Sequence, residues 1–133
     1  MNPVFEIDNR LRKKGLWITV GVLLLSVIFY MSLTSTPHVP MPGNWDKVYH
    51  GLSYLVLMSW WLQLFPNKAM RVLLMILFIG MGAGLEVLQS FHPLRYFDVG
   101  DMVANAAGVM AAWGLGWTVF DQWLLWFENK FLN

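Results

Sequence analysis

Leu16–Leu33 is a run of 18 residues without a charge, and at helical rise that is enough to cross a bilayer. Four basic residues, Arg10, Arg12, Lys13 and Lys14, stand just before it. A cleaved signal peptide is the competing reading. The run exceeds the usual ~7–15 residues of such an apolar core, and no small-residue cleavage site follows it.

The chain continues in the same manner. Pro37, Pro40, Pro42 and Gly43 mark a loop over Ser35–Trp45. A second apolar stretch then runs to Phe65 and stops at Pro66. A third covers Val72–Gln89, and Pro93 lies in the loop after it. A fourth starts near Asp98 and continues to about Phe120. With 57% hydrophobic and 13% charged residues, against about 25% charged in soluble domains, one small membrane domain over 1–133 is expected. The expected fold is an all-α membrane protein, four transmembrane helices in one bundle, spanning roughly 16–34, 46–65, 72–89 and 98–120. Phe120, Trp123, Leu124, Phe127 and Phe131 recur at three- and four-residue steps, with Glu128, Asn129 and Lys130 elsewhere on the wheel. This predicts a C-terminal amphipathic helix that rests on the membrane or extends the last span.

Basic residues set the orientation. With the N-terminus inside, Arg10, Arg12, Lys13, Lys14, Lys68, Arg71 and Lys130 are cytoplasmic, and only Lys47 and Arg95 lie outside. Both termini are therefore expected in the cytoplasm.

Ionisable groups gather at one end of the spans. Lys47 and His50 open the second, Glu86 and Gln89 close the third, and Asp98, Asp101 and Asn105 open the fourth, with Arg95 between. In a four-pass topology the first and third loops share a side, so these groups meet. Residues three and four apart share a helix face. Lys47, His50 and Tyr54 form one such strip, and Asp98, Asp101, Asn105, Gly108 and Ala112 another. Charges at membrane depth are costly and raise a functional hypothesis. The plainer alternative is a self-neutralising network that fixes helix register. Lys47 and Arg95 suit an anion such as a phosphate. Glu86 and His50 are the candidate acid–base pair if chemistry occurs, and Gln89, Asp98, Asp101 and Asn105 complete the binding set. His50, Glu86, Asp98 and Asp101 also offer N and O ligands for a divalent ion, but Lys47 and Arg95 would repel it. No metal and no cofactor is therefore expected.

The absence of Cys removes thiolate chemistry and disulfides. Aromatic residues are not interleaved with a basic face, so no nucleic-acid partner is expected. Membrane lipids are the expected partners. Ala104, Gly108, Ala112 and Gly116, and likewise Gly80 and Gly84, repeat every four residues and read as close-packing stripes. Trp60 and Trp61 read as interfacial anchors, and His38 and His92 as solvated loop histidines.

Asp46-Lys47 with His50 and Tyr54, then Glu86-x-x-Gln89, then Arg95-x-x-Asp98-x-x-Asp101-x-x-x-Asn105-x-x-Gly108 resemble the pattern of the VanZ-like family of small bacterial membrane proteins. The resemblance covers about Leu16 to Trp117, and Asp98 departs from it, since the family often has a small polar residue there. It implies a four-helix membrane fold in the bacterial plasma membrane and a role in the cell envelope. The expected function is binding, or modification, of an anionic envelope lipid or lipid-linked precursor at the outward-facing polar site, and two further functions stay open: a non-catalytic accessory protein and an ion-coupled transporter. The apolar inner halves of the spans count against the transporter.

Overall fold

The structure, a computed structural model, describes residues 3–34 and 42–132. The loop expected over Ser35–Trp45, with His38, therefore falls largely outside the described residues. Among the described residues five α-helices follow one another: α1 (Lys14–Leu33), α2 (Trp45–Leu64), α3 (Lys68–Ser90), α4 (Val99–Leu115) and α5 (Trp123–Phe131), with a 3-10 turn over Val119–Gln122 before the last. No strand occurs among the described residues.

The helices run up and down, and hydrogen bonds tie their ends. At the end holding the start of α1, the Asp8 amide donates to the Leu64 carbonyl at the close of α2 (2.8 Å). At the opposite end, Lys47 of α2 meets Asp98 at the start of α4 (2.8 Å). Local chemistry sets the boundaries. Asn67 caps α3 by accepting from the amides of Ala69 and Met70. Asp98 caps α4 by accepting from Gly100.

The tightest seam joins α2 and α4. A Cβ at Gly108 would collide with the Gly51 carbonyl oxygen, so the two backbones touch there. Only glycine permits that approach. Gly108, Ala112 and Gly116 are buried as the stripe requires. Gly80 and Gly84 differ: a Cβ on either meets nothing within 4 Å. Those two pack against nothing among the described residues.

Two helices, α1 and α3, are long and apolar enough to cross a membrane. A third span exists only if α4 and the segment through α5, bent by 93°, count as one. By length and composition, two or three of the four expected spans are therefore apolar enough among the described residues. Asp46, Lys47, His50 and Gln63 lower the apolarity of α2. α4 has 17 residues, about 26 Å at helical rise against a core of about 30 Å. It ends at Leu115 instead of Phe120, where the Arg71 guanidinium takes the Gly116 carbonyl (2.7 Å). In α1 only Trp17 and Gly21 are buried. Leu23, Val27, Tyr30 and Met31 are each more than half exposed, a surface suited to lipid and not to water.

Trp60 and Trp61 are half-buried and pack against the start of α1. Trp60 donates to the Trp17 carbonyl (3.0 Å), and both rings pack over Gly21 of α1. The N-terminal segment is also fixed. Asp8 accepts from the Arg10 amide (2.9 Å) and from its guanidinium (2.7–3.1 Å). Burial pushes the Asp8 carboxyl up, but the hydrogen bonds and charge of Arg10 outweigh burial and hold it below its usual value. A depressed carboxylate stabilises the fold above its unfolded value, about 3.9. That contribution is lost as pH falls through the lower folded value. Protection of the Arg10 amide, relative to its intrinsic exchange rate, is therefore expected to fall on acidification below about pH 4, and Asp8→Asn should show low protection at neutral pH.

Candidate functional site

The end of the bundle holding the starts of α2 and α4 and the close of α3 carries the polar groups. Helical spacing brings most of them together as expected. The Lys47 ammonium lies 2.8 Å from Asp98 and 3.4 Å from both Asp101 and Asp46. His50 places Nε2 3.4 Å from Asp101 and Nδ1 3.2 Å from the Asn105 side-chain oxygen. Asp101 and Asn105 are 7% and 3% exposed.

Glu86 is 2% exposed. It joins the cluster by accepting from the Asp98 backbone amide (2.9 Å), so it braces the start of α4.

Gln89 and Arg95 reach elsewhere. The Gln89 amide donates to the Ser32 carbonyl (2.8 Å). Arg95 donates to the carbonyls of Met31 (2.9 Å) and Ser32 (3.2 Å). Both close the C-terminal end of α1, where carbonyls lack intrahelical partners and a cation suits the dipole. One donor is left over: Arg95 Nε is shielded from solvent and has no partner.

Arg95 and Gln89 nonetheless line a cavity of about 210 Å³ together with Asp46, His50, Asp98 and Asp101, and Tyr96 completes its wall. Arg95 and Gln89 also border a second space of about 230 Å³ between the ends of α1 and α3, walled by Leu33, Leu88 and Phe91. Asp46, Tyr96 and the α1 carbonyls were not among the expected site residues. Backbone carbonyls leave no mark in a sequence.

Three carboxylates, Asp46, Asp98 and Asp101, have oxygens within 4.8 Å of one another. The Lys47 ammonium already serves all three, at the place a cation would take. What remains is a cavity lined by acidic acceptors and by the Arg95 side chain. Such a lining can hold a group that is anionic at one end and a hydrogen-bond donor at the other.

The sequence is 33% identical over 105 residues to uncharacterized protein C11E3.10 of Schizosaccharomyces pombe. The match covers 77% of this chain and 62% of the yeast protein, so the chain spans less than two thirds of that relative's length. No protein-family model matches the sequence, and no solved structure matches it.

Proposed function

We propose that the chain is a VanZ-like integral membrane protein whose polar end binds the phosphate-bearing headgroup of a membrane lipid or lipid-linked precursor. The observation that carries this reading is the 210 Å³ polar cavity, which Arg95 lines together with His50, Gln89 and the acidic residues. A phosphate there would meet the Arg95 guanidinium, whose N–H groups form a fork matched to phosphate oxygens. Lys47, held by three carboxylates, orients the acidic wall. The carboxylates would accept from hydroxyl or amine groups of the headgroup. The second space, walled by Leu33, Leu88 and Phe91, would take the first carbons of an acyl chain. If the bound group is also modified, His50 and Glu86 are the acid–base candidates.

We further propose that all four of α1–α4 cross the bilayer, both termini facing the cytoplasm. The outward sides of α2 and α4 support this. Val48, Leu52 and Val56 of α2, and Val99, Val103 and Met110 of α4, are exposed, while Asp101 and Asn105 are buried. The bacterial plasma membrane as the setting is carried by the family resemblance alone, not by the yeast relative.

A second reading, a non-catalytic accessory protein with the cluster as structural glue, is favoured by the triple pairing of Lys47. The two readings differ in what variants do. A short-chain anionic phospholipid at ~100 times its Kd stabilises a protein by about 2.7 kcal/mol. The wild type is expected to show that rise in thermal stability, and Arg95→Met to keep its fold and lose the rise. Lys47→Met is expected to melt lower than wild type, and Lys47→Met with Asp98→Asn to recover part of the loss, because like charges are relieved. A wild type that gains no stability from the lipid would leave the accessory reading in its place.

A further inference from the structure

Helix α5 has two faces of opposite character. Its inner face is Leu124 and Glu128, four residues apart and each 1% exposed. Glu128 accepts from the Arg12 amide (2.6 Å), the Lys13 amide (3.1 Å) and the Trp17 indole (2.6 Å). Arg12 and Lys13 immediately precede α1, where helix amides have no intrahelical acceptor and a carboxylate suits the dipole. Glu128 thus supplies a cap that α1 cannot make itself, since Lys13 provides no side-chain cap. Trp17 meets Phe127 edge to face at 6.3 Å. These contacts fix α5 at the level of the first turn of α1.

The outer face is apolar and bare. Trp126 and Phe131 are each 57% exposed, and Phe120, just before the helix, 60%. Lys130 lies over the rings of Trp126 (4.9 Å) and Phe131 (5.4 Å), its ammonium at the edge of the aromatic patch. Arg12, Lys13 and Lys68 are exposed at the same end. Of the acids there, Asp8 pairs with Arg10, Asp121 pairs with Arg71 and Glu128 is spent on α1, while Glu6 accepts from Asn9 at the surface. The end therefore presents aromatic rings ringed by positive charge.

We propose that α5 is an in-plane helix seated in the headgroup layer of an anionic membrane leaflet, on the side where the chain begins. The proposal rests on the reading that α1 crosses the bilayer. A helix pinned to the first turn of a spanning helix must lie at the interface. Trp and Phe then enter the boundary of headgroups and acyl chains, and the basic residues meet lipid phosphates. Glu128 is shielded in that seat because its oxygens are spent on α1.

The chain has no cysteine, so a single spin label can be placed at will. Trp126→Cys and Phe131→Cys would be labelled in the full chain, in nanodiscs of phosphatidylglycerol with phosphatidylcholine and in nanodiscs of phosphatidylcholine alone. Val27→Cys, in the exposed middle of α1 (58% exposed), reports separately on the spanning helix. The expected result is oxygen access exceeding nickel-chelate access at both α5 positions, with a shift to greater depth in the anionic discs. Chelate access equal to that of free label in buffer would overturn the proposal. So would protection from both reagents, which means a protein partner or a second copy covers the face. Equal depth in the two lipid mixtures would overturn the preference for an anionic leaflet. If the Val27 label is also open to the chelate, the failure belongs to the reading of α1 and the in-plane seat falls with it.

Discussion

Gly108→Ala is expected to break the bundle, although it adds a single methyl group. The new Cβ would overlap the Gly51 carbonyl oxygen and press on the Leu55 amide nitrogen at 3.0 Å. All of these are backbone atoms of α2 and cannot rotate away. Overpacking a close contact costs roughly 1–3 kcal/mol where side chains can adjust, and here the helices themselves must part. A loss at or above the top of that range is expected, read as thermal unfolding in detergent. Gly80→Ala is the matched control. Nothing lies within 4 Å of its Cβ, and glycine inside a helix is destabilising by about 0.5–1 kcal/mol relative to alanine. That variant should be as stable as wild type or more so. Gly100 would be a poorer control, because a Cβ there meets the Lys47 side chain at 2.5 Å and 3.2 Å. Equal melting of the Gly108 and Gly80 variants would contradict the close seam between α2 and α4.

The second large effect is expected at Arg71, which is 4% exposed. Its guanidinium closes two helix ends at once. It donates to the carbonyls of Phe65 (2.9 Å), Leu62 (3.3 Å) and Gly116 (2.7 Å), and it pairs with Asp121. Arg71→Met removes the donor and leaves a carboxylate and three carbonyls without it. Water meets part of the need of Asp121, whose side chain is 32% exposed, but hydrogen bonds from a charged donor contribute roughly 1.5–3 kcal/mol each, and a destabilisation of a few kcal/mol is expected. Arg71→Lys keeps the charge but not the fork, so it should fall between the two. A silent Arg71→Met would show that water serves those carbonyls equally well.

Much of the polar end was legible in the sequence. Three- and four-residue spacing placed Lys47 with His50 and Asp98 with Asp101 and Asn105, and the alternating direction of the helices brought those strips together. The partners were not legible. Gln89, Arg95 and Arg71 all spend donors on backbone carbonyls at helix ends, and every residue type carries such a carbonyl. Arg71 accordingly read as one more cytoplasmic basic residue, whereas it is buried at that end of the bundle. In α5 the wheel was read correctly as two-faced, but Glu128 fell on its polar side. The structure turns Glu128 inward because α1 begins without a cap of its own, and that need arises only once the two termini are adjacent. The length of α4 was overestimated for a related reason. The apolar pattern continues past Leu115, but Arg71 takes the carbonyl of Gly116 and ends the helix. For α2, apolar stretches and polar ends were both visible, yet only the assembled bundle shows which side of the helix faces outward.

The reading of the polar end turns on Arg95, and retained lipid is its most direct measure. The full chain would be purified in mild detergent and its mass measured under native conditions, alongside Arg95→Met and a Gly80→Ala control. The account predicts that wild type and control carry a bound phospholipid adduct, that fragmentation identifies it as phosphate-bearing, and that the adduct is lost from a folded Arg95→Met. A folded Arg95→Met that retains the same adduct as wild type would contradict it.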